Sequence, residues 1–272
     1  MPEGHVIHRL ARDHSALFRG QAVAASSPQG RFADGAALID GRSLVQADAW
    51  GKHLFHDYGG GIVLHVHLGL YGSFRQGPGR PPVPRGAVRL LLSAESGWAE
   101  LRGPTACAIV TAPERAALLL RLGPDPLRAD AHVAAAKARI AKMHTPIAAA
   151  LTDQSVIAGV GNAFRAELLF RHRIDPYLPS SDLPPEVFDE VWTDLVGLLR
   201  AGVKTGRIVT TLREHRTHPR GPVTPEDQYY VYRRAGEPCR VCGTRVVVAE
   251  LANRNLFWCP SCQPPGSSGG RQ

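Results

Sequence analysis

Nowhere in its 272 residues does this chain string together the roughly 18 apolar residues that a membrane-crossing helix needs. Nor does it open on the basic stretch, apolar run and cleavage site of a secretory signal. Those two absences set the expectation of a cytoplasmic protein with no membrane role. No internal repeat is visible, which argues against a solenoid or a propeller. Cysteine is scarce, with five in all, and in a reducing compartment such residues bind metal more often than they form disulfides. Acidic groups are also in short supply: Asp and Glu number 24 against 32 Lys and Arg, a net charge of +8. That deficit favours a polyanionic partner, nucleic acid first, although many solvated proteins are mildly basic. What remains, 44% hydrophobic and 21% charged residues, is a globular composition in a chain long enough for two or three compact domains.

Taken in order, residues 3–18 carry Val6, Ile7, Leu10, Ala11, Leu17 and Phe18 at helical spacing, so the chain starts on an amphipathic helix anchored to a core. From 21 to about 112 the texture is short β-type runs broken by Gly and Pro. Residues 62–68 alternate with period two, 88–92 and 107–111 read as further strands, and 76–86 as a loop. This predicts an antiparallel sandwich or barrel led by one helix. Beyond 122–127 the pattern turns helical, with candidates at 131–143, 146–152, 163–171 and 185–200. The last follows a Pro184-Pro185 pair and lines Val187, Phe188, Val191, Trp192, Leu195, Leu198 and Leu199 along one stripe. Residues 204–228 are polar and read as mobile. The expected division is 1–130, 131–228 and 229–263, with 264–272 a disordered Pro/Gly/Ser tail.

The strongest local signal is Cys239-x2-Cys242 and Cys259-x2-Cys262, with 16 residues between the pairs. Each turn aims two thiolates at one point, and four thiolates make the closed shell of a structural zinc ion. The β-rich stretch between the pairs, joined through Ala252-Asn253-Arg254, predicts a zinc-ribbon hairpin with Arg254 at its tip. Cys107 reads as an inert core residue. The turn Gly159-Val160-Gly161-Asn162 ends where a helix starts. Its amides and the helix N-terminus favour an anion, while Asn162 either caps that helix or donates to a phosphate. His65 and His67 share one face of a strand, which suits either a metal pair or ordinary packing and hydrogen bonding. Leu70-Tyr71, in the turn beyond that strand, is either core or an exposed wedge that enters a base stack.

At the start of the chain, removal of Met1 would leave Pro2 as a secondary amine beside Glu3. An α-amino group titrates at roughly 7.7–8.0, so part of it is free base near neutral pH. A neutral amine attacks an electrophilic carbon, and proline still yields a cationic iminium. Alone, Met-Pro-Glu reads as an ordinary trimmed start.

Together these residues resemble the formamidopyrimidine-DNA glycosylase/endonuclease VIII family. The matching elements run in order through Pro2-Glu3-Gly4, Gly51-Lys52, His67-Leu68-Gly69-Leu70-Tyr71-Gly72, 122–127, Asp153-Gln154, 158–162 and the segments around the four cysteines. The resemblance implies an α+β multidomain chain: a β-sandwich with a leading helix, a helix–two-turn–helix domain and a zinc finger, with DNA in the cleft between. It implies Pro2 as the nucleophile at C1′ of the damaged nucleotide and Glu3 as the acid that assists ring opening. Lys52 would hold a phosphate near the lesion, and Asn162 and Arg254 would grip the phosphates flanking it. Leu70 and Tyr71 would fill the vacated stack, and Cys239, Cys242, Cys259 and Cys262 would bind one zinc ion. The activity implied is that of a nucleoid-associated, monomeric glycosylase and abasic-site lyase, acting on double-stranded DNA with oxidised bases or abasic sites and cutting the strand by β,δ-elimination.

Within the family, Leu70-Tyr71 and the Arg-Asn-Leu-Phe-Trp-Cys-Pro segment resemble endonuclease VIII. Glu100-Leu101-Arg102-Gly103-Pro104 departs from the insertion loop usual in the oxidised-purine branch. Oxidised pyrimidines are therefore the expected lesions, with an oxidised-purine glycosylase or a non-catalytic damaged-DNA binder as the alternatives. Val6 stands where a second glutamate is frequent, and Gly69 where endonuclease VIII often has Gln. The start of the chain and the glycine turn look closest to an actinobacterial endonuclease VIII-like subgroup.

Overall fold

A computed structural model of the chain describes residues 2–269. Its contacts divide the chain after Arg121 into two compact units.

The first unit opens with helix α1 (Gly4–Phe18), whose buried face is Ile7, Leu10, Ala11, His14 and Phe18. After it come β1 (Ala22–Ser26), α2 (Ala33–Ile39), β2 (Arg42–Ser43), β3 (Gln46–Trp50), β4 (His53–Asp57) and β5 (Val63–His67). Then follow β6 (Ser73–Pro78), β7 (Val88–Ala94), β8 (Gly97–Arg102), β9 (Ala106–Val110) and α3 (Ala112–Leu120). The strands form two antiparallel sheets, ordered β2-β1-β7-β8-β6 and β3-β4-β5-β9. Val23, Leu90, Leu92 and Leu101 from one sheet and Ala49, Leu54, Leu64 and Val66 from the other meet Ile7 and Phe18 of α1 in a single core. Of the two architectures the pattern allowed, this is the sandwich.

One helix, α2, interrupts the stretch read as all β, and a second, α3, follows directly at its end. Thr111, taken as the end of a strand, is instead the N-cap of α3, in a capping box with Glu114. The expected loop at 76–86 begins later, because Gln76 to Pro78 pair with β8.

In the second unit, α4 (Val133–Ile140), α5 (Ile147–Ala150), α6 (Asn162–Arg171) and α7 (Pro185–Thr205) follow the predicted helical pattern. Of the stripe on α7, Phe188, Val191, Leu195 and Leu199 are buried, while Val187, Trp192 and Leu198 are partly so. The hairpin of β10 (Val247–Leu251) and β11 (Arg254–Trp258) completes the unit. Ala252 and Asn253 both have positive φ, 53° and 58°, as a two-residue hairpin turn of type I′ demands. One core runs from Phe164 and Leu168 of α6 to Leu256 and Phe257 of β11, so the helices and the cysteine module fold as one body.

Residues 264–269, expected to be disordered, are instead held in place. Gly266 N–H donates to the Asp175 carboxylate at 2.8 Å, Asp175 N–H to Ser267 O at 2.8 Å, and Ser268 pairs with Ile174. The remainder of that expected tail, 270–272, lies outside the described residues. The polar stretch 204–228 is also tied down: Thr211 Oγ1 donates to Asp227 O, and the Asp227 carboxylate accepts from the amides of Thr217 and His218.

Candidate functional site

Pro2 and Glu3 sit at the head of α1. Glu3 is its N-cap residue, in extended conformation, and is only 1% exposed; Pro2 is half-buried. The anchoring comes from Ile7 and Leu10 in the core, so a stretch that would fray in most chains is fixed here. His5, also buried, is held down to about 4 by desolvation and is a neutral imidazole near pH 7.

Lys52 lies in the turn Gly51-Lys52 between β3 and β4, where Trp50 pairs with His53. Gly51 has φ 56° at the first central position of that turn, as a type II′ hairpin requires. Beside the half-buried Lys52, His53 Nδ1 and His65 Nε2 are 2.9 Å apart, and the His53 and His67 rings are 4.8 Å apart. Burial lowers all three, His53 to about 3 and His65 to about 4. Hydrogen bonding is thus the reading that His65 fits. Among the described residues the four cysteines are the one group of three or more side chains placed to hold a metal.

Leu70 and Tyr71 are 61% and 88% exposed, at the tip of the turn between β5 and β6. They are not core residues. Gly72 N–H closes the turn on Leu68 O at 3.0 Å, and Gly69 has φ +67° with Thr105 Oγ1 only 1.8 Å from where a Cβ would stand. The departure at Gly69 is therefore dictated by the backbone and by Thr105.

The glycine turn before α6 is built by Gln154. Its Oε1 accepts from Gly159 N–H at 3.0 Å, and its Nε2 donates to Thr152 O and Val160 O, each at 2.9 Å. Behind the turn, Gly123 N–H donates to Gln154 O and Ala158 N–H to Pro124 O, which explains the place of 122–127 in the pattern. The N-cap of α6 is Gly161, so Asn162 is not the cap but the first helical residue. Asn162 is 6% exposed; its Nδ2 donates to Asn255 O at 2.7 Å, and its Oδ1 accepts from Arg165 Nη2. Asn255 follows Arg254, which is exposed and opens β11 rather than standing at the very tip. Residue patterning singles out Asn162 and Arg254 but not Arg165, which is fully buried.

The four cysteine Sγ atoms all lie within 4.8 Å of one another, with Cys242 and Cys259 at 3.5 Å and Cys239 and Cys262 at 3.9 Å. A tetrahedron with Zn–S bonds of about 2.3 Å has edges of about 3.8 Å, so the set fits zinc, while a disulfide needs about 2.05 Å. Val241 N–H points at Cys239 Sγ at 3.4 Å, an arrangement that steadies a thiolate. Burial pushes Cys259 up to about 11 and Cys262 higher still, while, against the effect of burial, hydrogen bonds from Thr244 and the neighbouring thiols bring the more exposed Cys242 down to about 6. A bound dication would favour the thiolate form of all four. Cys107, at the edge of the sandwich core, is pushed up to about 12 by burial and stays a thiol.

Three family models match the chain in order. They are the formamidopyrimidine-DNA glycosylase N-terminal domain over 1–103, the formamidopyrimidine-DNA glycosylase H2TH domain over 122–214, and a zinc finger found in FPG and IleRS over 236–265. Endonuclease 8 1 of Mycobacterium tuberculosis is 53% identical over 267 residues, covering 97% of this chain and 100% of the relative. Among solved structures, the MutM (FPG) protein of Thermus thermophilus aligns with a TM-score of 0.78 at 29% identity, over 98% of this chain and 100% of that one. A Lactococcus lactis FPG mutant in complex with a Fapy-dG containing DNA aligns with a TM-score of 0.79 at 20% identity, over 97% and 100%, which speaks to the fold alone. The order of the domains and the full-length identity agree: the chain belongs to the formamidopyrimidine-DNA glycosylase/endonuclease VIII family.

Proposed function

We propose that this protein is a bifunctional DNA glycosylase and abasic-site lyase that removes oxidised bases, pyrimidines in preference, and cuts the strand. The observation that carries the reading is the start of the chain. Pro2 and Glu3 are fixed at the head of an anchored helix, with Glu3 buried beside the residue that becomes the amino terminus once Met1 is removed. The full-length likeness to Endonuclease 8 1 supports the pyrimidine preference, as do the exposed Leu70 and Tyr71.

In this reading the Pro2 nitrogen attacks C1′ of the extruded nucleotide. The bond to the base breaks, the base leaving with its electron pair and taking up a proton. Glu3 hands a proton to the ring oxygen as the sugar opens to the iminium. The iminium acidifies the C2′ proton; its loss expels the 3′ phosphate by β-elimination, and a second elimination expels the 5′ phosphate. Hydrolysis then returns Pro2 as a free amine. Extrusion costs roughly a few kcal/mol, least for a damaged base, and Leu70 and Tyr71 fill the gap that it leaves. Lys52, Asn162 and Arg254 hold phosphates, which makes affinity fall as salt rises. One zinc ion on the four cysteines supplies a structural crosslink to the β10–β11 hairpin and takes no part in bond breaking. The protein works as a cytoplasmic monomer on double-stranded DNA.

Borohydride trapping on duplexes carrying thymine glycol, 8-oxoguanine or a plain abasic site tests this. The expected result is an adduct on the abasic and thymine glycol duplexes, with far less on 8-oxoguanine. An adduct mainly on 8-oxoguanine overturns the pyrimidine preference and keeps the chemistry. No adduct on any duplex overturns the enzyme.

A further inference from the structure

Arg165 is the bulkiest side chain with no solvent exposure in the described chain. Its position is electrostatically poor. A buried cation loses its hydration at a cost of several kcal/mol, and the first turn of a helix is the positive end of the dipole. A leucine or methionine would fill the same space without either penalty. What only the guanidinium supplies is a rigid fan of donors with no acceptor. Those donors reach Asn162 Oδ1, the Asn255 carbonyl at 3.0 Å and the Ala148 carbonyl at 3.5 Å.

We infer that Arg165 is a positioning residue for the phosphate grip, holding Asn162 and the Arg254 strand to one another. Resting on the reading of Asn162 and Arg254 as phosphate contacts, the inference has two parts. First, Arg165 decides which way the Asn162 carboxamide faces. A group that only donates can meet only the oxygen, so the Asn162 nitrogen is turned away from it, toward the Asn255 carbonyl and any anion at the helix start. Second, Arg165 Nη2 and Asn162 Nδ2 both donate to the Asn255 carbonyl, at 3.0 and 2.7 Å. The residue next to Arg254 is thereby pinned to the first turn of α6. One guanidinium thus sets both halves of the grip, though its own burial keeps it from touching DNA.

The test is binding of the full-length protein to a duplex with a tetrahydrofuran abasic analogue, alongside single-turnover cleavage of a true abasic duplex at saturating enzyme. For Arg165→Met the expected affinity loss is about 10- to 100-fold, the scale of hydrogen bonds to a charged group. The saturated cleavage rate stays within about threefold, because no reacting atom is involved. Arg165→Lys, which keeps the charge and some donors, falls between wild type and Arg165→Met. Adding Asn162→Ala to Arg165→Met costs little more, since the two act through one contact. If Arg165→Met folds and binds like wild type, or if the losses from Arg165→Met and Asn162→Ala simply add, the positioning role is wrong. Should Arg165→Met not fold, Arg165→Lys and its combination with Asn162→Ala decide by the same criteria. The underlying reading fails separately: if Asn162→Ala and Arg254→Ala each leave affinity unchanged, there is no phosphate grip for Arg165 to position.

Discussion

Asn162 and Asn255 lie 93 positions apart in the chain, yet the carboxamide nitrogen of the first stands 2.7 Å from the main-chain carbonyl of the second. That bond ties the start of a helix to a strand of the cysteine module, and it sets Arg254 beside the glycine turn. Because Arg254 is exposed and its strand is held by its neighbours, Arg254→Ala is predicted to leave the thermal midpoint unchanged. It should weaken binding of an abasic-analogue duplex several-fold and reduce the slope of log affinity against log salt by about one. Isothermal or anisotropy titrations at three salt concentrations check this; an unchanged slope rules out a phosphate contact at Arg254.

That bond also marks the limit of what the residues alone could tell. The four cysteines, the leading helix and the period-two strand at β5 were all legible, because each is a local pattern with one dominant physical cause. Asn162 was legible only as a candidate, since its partner is distant in sequence and is a carbonyl, which carries no residue signature. Arg165 left no trace, because nothing local separates a buried arginine from a solvated one. Helix α3 did leave a signal, the Thr111–Glu114 capping box with Pro113 in the first turn. It was hidden by the β-rich run before it. The segment 264–269 looked disordered by composition, yet Asp175 and Ile174 supply it with partners that composition cannot show.

Leu70 and Tyr71 touch little of the fold, so Leu70→Ala and Tyr71→Ala are predicted to change stability by less than about 0.5 kcal/mol. Base release from a thymine glycol duplex should fall by about tenfold or more, while cleavage of a single-stranded abasic site, which needs no wedge, should hold. Equal losses on both substrates would contradict a wedge.

Gly69 is predicted to tolerate no side chain. Gly69→Gln puts a Cβ against Thr105 at positive φ and should cost about 2–4 kcal/mol, read as a fall in the thermal midpoint. Combining it with Thr105→Gly should recover part of that loss. A Gly69→Gln protein as stable as wild type would show that the turn repacks freely.

The sandwich core carries an acid liability. His14 and His56 are fully buried and joined at 2.9 Å, and desolvation lowers both, His14 to about 4. The unfolded chain binds protons near pH 6.5 and the folded one does not, so stability is full above that pH and is lost as pH falls from 6.5 toward 4. His14 alone should remove about 2 kcal/mol by about pH 5. Urea unfolding at several pH values measures the slope, and His14→Leu should flatten it; an identical slope in that variant would contradict the assignment.

The central claim is that the nucleophile is the amine of Pro2. The most direct measurement is mass spectrometry of the borohydride-trapped adduct with an abasic oligonucleotide, after nuclease and tryptic digestion. The account predicts that Met1 is absent and that the sugar remnant sits on Pro2, within the peptide ending at Arg9. A remnant on Lys52 or any other lysine, or full activity in protein that retains Met1, would contradict it.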